Sequence, residues 1–217
     1  MVLKRILNFR KIVISLALVV LPALLFYAAA VLIMSSYGFK LHEILRDPAQ
    51  QSGLSSFLGF VSNIGIWLWV SSVAICCFSL VSGVTEKSRG RFELLVLLAM
   101  LSLLLAVDDF FLLHERYVHQ RGIFVFYALF TITLFVRHFR RIIEIDGFAF
   151  VLSGSLLALS IIIDLEQRHF PFHYKYVQVV EEGCKFVGAA LWLYFCGRAA
   201  SAPMSMLAQP RQVERTG

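Results

Sequence analysis

The chain has few charged residues. Only 16% of its 217 residues are Asp, Glu, Lys or Arg, whereas about a quarter is usual in a soluble domain. Its four cysteines have no Cys-x-x-Cys spacing and form no disulfide framework. The sequence also lacks a glycine-rich phosphate loop, a nucleophile elbow and the His-Glu-x-x-His motif. It therefore carries no motif of a P-loop nucleotide enzyme, a serine hydrolase or a zinc protease.

Apolar residues are abundant instead. They make up 59% of the chain, the mean hydropathy is +0.78, and they form runs long enough to cross a bilayer. The first run is too long for a cleaved signal peptide. We predict an all-α fold, a polytopic helical membrane bundle of six transmembrane helices, followed by a disordered basic cytoplasmic tail at residues 200–217. The predicted spans are residues 12–34, 57–84, 92–113, 123–139, 148–163 and 176–196.

The positive charges predict the orientation of these spans. With the N-terminus inside, thirteen Lys and Arg lie in inner segments and six in outer ones. This bias favours a topology with both termini inside, in a plasma (inner) membrane. The net charge of +6 comes largely from these inner segments, so we expect the lipid bilayer rather than nucleic acid as the partner.

The acidic residues and histidines are also segregated. The same threading puts nine of fourteen acidic residues and five of six histidines on the outer side. Topology rules do not require this, and ionisable groups at membrane depth usually mark a site. The predicted intramembrane polar cluster consists of Asn63, Asp108, Asp109, His114, Glu115, Asp164, Glu181, Glu182 and Lys185.

The end of the third span could present two carboxylates on one face. Asp108 and Glu115 are seven residues apart, so on a continuous helix they project within about 20° of each other. His114 would then lie on a different face. The alternative is that His114 and Glu115 have already left the membrane and are solvated.

The sixth span carries a lysine that needs a partner. Glu181 and Lys185 are four residues apart in the orientation that favours an ion pair. An Asp of the third span is the competing partner, and either pairing could lock helices together. Asn63 in the second span is expected to hydrogen-bond another helix.

Carboxylates and imidazoles could also bind a divalent metal such as zinc, manganese or iron. The candidate metal ligands are Asp108, His114, Glu115 and Glu181, and the candidate catalytic groups are Asp108, Glu115 and Glu181. Another set of acidic and imidazole groups follows the fifth span. It comprises Asp164, Glu166, His169 and His173.

Three segments carry a resemblance to a known family. They are GFVSNIGIWLWVSSVAICCF, LLAVDDFFLLHE and VEEGCKFVGAALWLYF. Together they resemble a group of bacterial multi-pass membrane proteins of unknown function. Its motif is Ser-Asn-(Ile/Leu)-Gly…Trp, Asp-Asp-x-x-Leu-Leu-His-Glu and Glu-(Glu/Asp)-Gly-x-Lys-x-x-Gly. The resemblance covers spans two to six and implies a membrane protein without implying an activity. A more distant resemblance is to alkaline ceramidases, although the chain lacks their late His-x-x-x-His motif.

Three functions remain open from the sequence. The polar cluster could specify helix packing or assembly with a membrane-protein partner or a second copy of the chain. It could belong to a membrane-embedded, metal-dependent hydrolase that acts on a lipid-like substrate. It could also serve a proton- or cation-coupled transporter.

Overall fold

The described part of the chain consists of helices joined by short turns. A computed structural model describes residues 13, 17, 20–45, 48–55, 57–83, 88–166 and 174–201, and these residues contain no strand. The predicted basic tail falls outside them, apart from its first two residues, which end the last helix. The chain divides into two compact units, Met1–Leu58 and Gly59–Gly217.

The first unit contains α1 (Leu21–Ser36), α2 (Leu41–Leu45) and α3 (Pro48–Ser52). Pro22 stands in the first turn of α1, where its missing N–H leaves no hydrogen bond unmade. No residue of α1 is buried within the structure. The apolar helix covers the second part of the first predicted span, and its surface is suited to contact with lipid.

The second unit contains α4 (Phe60–Val81), α5 (Arg89–Phe111), α6 (Leu113–Arg116), α7 (Gln120–Glu166) and α8 (Tyr174–Ser201). Among the described residues, α4, α5 and α7 are the three helices long and apolar enough to cross a membrane. The 22 residues of α4 extend about 33 Å, close to the thickness of a hydrocarbon core.

Helix α7 is a helical hairpin that contains both the fourth and the fifth predicted spans. The Gln120 side chain donates a hydrogen bond to Asp164, although a straight helix would separate these residues by about 66 Å. The backbone leaves helical geometry at His138 and again at Asp146. Asp146 then accepts a hydrogen bond from the Ala149 N–H, as an N-cap residue does at the start of a helix. We call residues 120–137 the first arm, 138–146 the hairpin tip and 147–166 the second arm.

Helix α8 packs closely against the second arm of the hairpin. A methyl group at Gly188 would come within 2.9 Å of Leu157 Cγ, so the glycine permits this approach. The Ser153 hydroxyl donates to the Gly188 carbonyl at 2.8 Å. Near the hairpin tip, the Phe150 ring stacks on Phe135, with 5.5 Å between centroids. Aromatic packing therefore fills the space between the arms close to the tip.

A buried arginine joins the N-terminal end of α5 to the C-terminal end of α8. Arg91 is 1% exposed and donates to the carbonyls of Ala199 and Ala200 near the C-terminus of α8. A positive charge is favourable there because the last carbonyls of a helix carry partial negative charge. Arg137 and Glu93 form an ion pair between the first arm and α5.

Candidate functional site

A cavity of about 460 Å³ lies inside the second unit, between α4, α5, the two arms of α7 and α8. Six ionisable side chains line it at one end, which we call the polar end. They are Asp108, Asp109, His114, Asp164, Glu181 and Lys185. Toward the hairpin tip the lining is mostly apolar and includes Phe135 and Phe150, with Thr131 and Ser155 as polar members. The volume falls within the range of about 300–1,000 Å³ that is common for small-molecule sites.

The polar end is shaped by the way α5 ends. Leu112 has φ of 53°, a left-handed conformation that costs a non-glycine residue about 1–2 kcal/mol. Its N–H donates to the Asp108 carbonyl, which closes the last turn of α5. The chain then turns into α6. A hydrogen bond between the Asp108 carboxylate and the His114 N–H stabilises this strained turn.

The carboxylate of Asp108 holds the start of α6. Its Oδ1 accepts the backbone N–H of His114 at 2.9 Å and lies 3.0 Å from the ring Nδ1 of the same residue. The ring contact has the distance of an ion pair but lacks hydrogen-bond alignment. Asp108 is 3% exposed. Its carboxylate raises the pKa of His114, and burial of the imidazole opposes this effect in part.

Asp109 links three helices. Its Oδ1 lies 2.7 Å from Lys185 Nζ on α8, and its Oδ2 accepts a hydrogen bond of 3.0 Å from Trp69 Nε1 on α4. The structure thus pairs Lys185 with an Asp of the third predicted span, which was the competing alternative, and not with Glu181. We call Trp69, Asp109 and Lys185 the interhelical lock.

The two remaining carboxylates face the cavity from the second arm and from α8. Asp164 accepts the hydrogen bond from Gln120 that closes the hairpin. Within the described part of the chain, no hydrogen bond or ion pair involves the Glu181 side chain. Glu181 is therefore the carboxylate most available to a molecule in the cavity.

The apolar part of the cavity is long and reaches the protein surface. The second arm runs from Asp164 to Phe150 along the cavity, a distance of about 21 Å. Ile132 and Val151 line the cavity and are 57% and 50% exposed, so it opens sideways between the two arms. An opening flanked by apolar side chains suits entry from lipid.

The break at Leu112 corrects the prediction that Asp108 and Glu115 share a helix face. That prediction assumed a continuous helix, whereas α5 ends at Phe111 and the chain turns. His114 returns beside Asp108, and the Glu115 side chain is 56% exposed and does not line the cavity. The candidate catalytic set is thus divided, with Asp108 and Glu181 in the cavity and Glu115 outside it.

Other predicted residues lie outside the cavity. Glu182 sits near Lys185 and Asp109 but does not line the cavity, and Asn63 is exposed on α4. Glu166 closes the second arm and is exposed. His169 and His173 fall outside the described residues.

Sequence reasoning missed two hydrogen-bonding members of the site. Trp69 stands in the middle of the second predicted span, where a buried indole N–H usually requires an acceptor. That requirement would have linked it to an Asp of the neighbouring span. Gln120 is the first residue of the first arm and gave no comparable signal, because its contact with Asp164 depends on the hairpin.

The described residues contain no group of three or more His, Cys, Asp or Glu side chains that could hold a metal ion. His114 lies 3.0 Å from Asp108 and 3.9 Å from Glu115, but Glu115 does not line the cavity and the metal candidates do not converge into such a group. The sequence-based expectation of a divalent metal therefore gains no support from this geometry.

Comparison with known protein families identifies a match over most of the chain. The model of a family described as a domain of unknown function (DUF8692) matches residues 13–199. This agrees with the resemblance to a family of unknown function. No curated protein and no solved structure matches the chain. The comparisons accordingly show no similarity to alkaline ceramidases.

Proposed function

We propose that this chain, which belongs to the DUF8692 family of proteins with a domain of unknown function, is a membrane protein that binds a lipid-like amphiphile. One observation carries the proposal. The cavity combines an ionisable end with a long apolar part that opens sideways between the hairpin arms. A molecule with a polar head and an alkyl chain matches both halves, since ligand sites are mostly apolar with a few placed polar groups.

The proposal includes the arrangement in the bilayer. Each arm of α7 supplies one crossing, and α1, α4, α5 and α8 supply the other four, which gives six spans with both termini inside. The excess of Lys and Arg in the inner segments supports this orientation. The polar end of the cavity would then face the outer side of a plasma membrane, and the opening between Ile132 and Val151 would face the lipid.

The interhelical lock accounts for the helix-packing role that the sequence suggested. Asp109 and Lys185 neutralise each other, and together with Trp69 they join α4, α5 and α8. A role in helix packing does not account for Glu181. Its side chain lines an open cavity, whereas a residue that only packs helices together would contact a neighbouring helix. We therefore assign packing to the lock and binding to the rest of the cluster.

The other two functions are less well supported by the geometry. A proton or cation pathway needs polar groups along its length, whereas the lining near Phe135 and Phe150 is apolar. A metal-dependent hydrolase needs several converging ligands, and the described residues form no such group.

A cavity-filling substitution tests the proposal. Nothing lies within 4 Å of a Cβ atom built at Gly154, which lines the cavity, so Gly154→Phe would place its ring in the cavity without a backbone clash. The matched control is Gly183→Phe. Gly183 is also a helical glycine with open space beside it, but it lies outside the cavity lining. Both variants replace glycine by the same residue, so helix propensity changes alike.

The measurement is the amount of amphiphile that remains with the purified protein, extracted and analysed by mass spectrometry. We expect the wild type and Gly183→Phe to retain the same amphiphile and Gly154→Phe to lose it. Equal retention by Gly154→Phe would show that the bound molecule lies elsewhere on the protein.

A further inference from the structure

Among the described residues, the lining of the polar end contains more carboxylates than cations. Four carboxylates line it, and the described lining residues supply at most two cations, Lys185 and a protonated His114. Each of these cations already has a carboxylate partner, since Lys185 contacts Asp109 and His114 contacts Asp108. Among the lining carboxylates, Glu181 has neither a hydrogen bond nor an ion pair within the described residues.

The excess charge is concentrated around Glu181. Within the described part of the chain, the charged groups that act on it are Asp164, Glu182 and Glu115, all acidic, and Lys185, which contacts Asp109. A carboxylate in a partly buried, negative environment is stabilised by a cation brought close to it. The ligand itself can supply that cation.

Aromatic rings stand beside these carboxylates. Trp69, Phe124 and Tyr127 line the polar end of the cavity, and the Phe124 ring lies 5.3 Å from the His114 ring. The faces of aromatic rings attract cations, and quaternary ammonium groups are commonly held by such rings. Carboxylates together with aromatic walls therefore favour a positively charged nitrogen over an anionic head.

We propose that the amphiphile carries a cationic nitrogen headgroup, which Glu181 binds at the polar end while the alkyl chain lies between the hairpin arms. This inference rests on the proposed function, because it specifies the ligand class of the same cavity. It assigns Glu181 as the principal charge partner of the headgroup. Asp108 and Asp109 remain engaged with His114 and Lys185.

Four probes with the same twelve-carbon chain separate headgroup recognition from chain binding. They are dodecylamine, dodecyltrimethylammonium, dodecanol and dodecanoate. Each is titrated into protein held in nanodiscs of zwitterionic lipid, and bound probe is counted by native mass spectrometry. We expect both cationic probes to bind at least about tenfold more tightly than dodecanol, because the positive nitrogen of each is attracted to the Glu181 carboxylate and to the faces of the aromatic rings. Dodecanoate should bind most weakly.

Charge removal at Glu181 provides the second arm of the experiment. Glu181→Gln should bring the affinity for both cationic probes down to that for dodecanol and leave dodecanol binding unchanged. The matched control is Glu144→Gln, since Glu144 is exposed at the hairpin tip and does not line the cavity. That variant should bind all four probes as the wild type does.

The outcomes separate this inference from the proposal on which it rests. If all four probes bind equally and Gly154→Phe abolishes every one, the cavity binds amphiphiles but the cationic headgroup is wrong. If Glu181→Gln still prefers the cationic probes as strongly as the wild type, Glu181 is not their partner. If no probe binds, or Gly154→Phe binds every probe as well as the wild type, amphiphile binding in the cavity is itself wrong.

Discussion

Loss of the lysine in the interhelical lock should destabilise the protein in a way that only one partner can repair. The Asp109 side chain is 11% exposed, and Lys185→Met removes the cation that pairs with it. The carboxylate then keeps only the hydrogen bond from the neutral Trp69 indole. Breaking a fully buried ion pair costs about 3–5 kcal/mol, and an exposed pair contributes about 0–1 kcal/mol. Because the Lys185 side chain is 33% exposed, we expect an intermediate loss of about 2 kcal/mol.

The double variants identify the partner. Asp109→Asn removes the uncompensated charge and can still accept from Trp69, so Lys185→Met with Asp109→Asn should recover about 1 kcal/mol or more. Lys185→Met with Glu181→Gln should recover much less, because Glu181 does not contact Lys185. The assay is equilibrium unfolding in mixed detergent micelles with increasing dodecyl sulfate. Recovery by Glu181→Gln equal to or greater than that by Asp109→Asn would refute the pairing.

Two further predictions concern other contacts of α5. The Asp108 carboxylate raises the pKa of His114 above 6.5, so the stabilisation from the protonated ring is complete below pH 6.5 and is lost as pH rises through the raised value. Thermal unfolding between about pH 5 and 9 should show this loss in the wild type and not in Asp108→Asn. Ser102→Ala should destabilise the protein by about 1–3 kcal/mol because it leaves the buried Trp192 N–H, which donates to Ser102 at 2.8 Å, without an acceptor. Ser72→Ala should have a smaller effect in the same unfolding assay, since that hydroxyl donates to a backbone carbonyl of its own helix. A flat pH profile in the wild type, or equal losses in the two serine variants, would contradict these contacts.

The helical class was readable from the sequence because long apolar runs can satisfy their backbone groups in a membrane only as helices or closed barrels. The approximate positions of α4, α5 and α8 followed from the same runs. The predicted spans left a charged segment at residues 140–147 between the fourth and fifth crossings, but they did not predict that this segment stays helical until the second arm begins after Asp146. Its N-cap, Asp146, would have been the readable signal.

The candidate site was only partly predictable. When the predicted spans are made to cross the membrane alternately, one region on the outer side contains Asp108, His114, Glu181 and Lys185. Which of them contact each other depends on the left-handed turn at Leu112, and leucine gives no sequence signal for that conformation. Helical periodicity therefore placed Glu115 on the wrong face. The cavity itself arises from the spacing of the hairpin arms, which periodicity does not determine.

The central claim is that the cavity holds one amphiphile, and its most direct test is a count of molecules per chain. Native mass spectrometry of protein released gently from membranes would measure that count in the wild type, Gly154→Phe and Gly183→Phe. The cavity predicts one retained amphiphile in the wild type and in Gly183→Phe, and none in Gly154→Phe. A wild type without a bound amphiphile, or the same count in all three proteins, would contradict the claim.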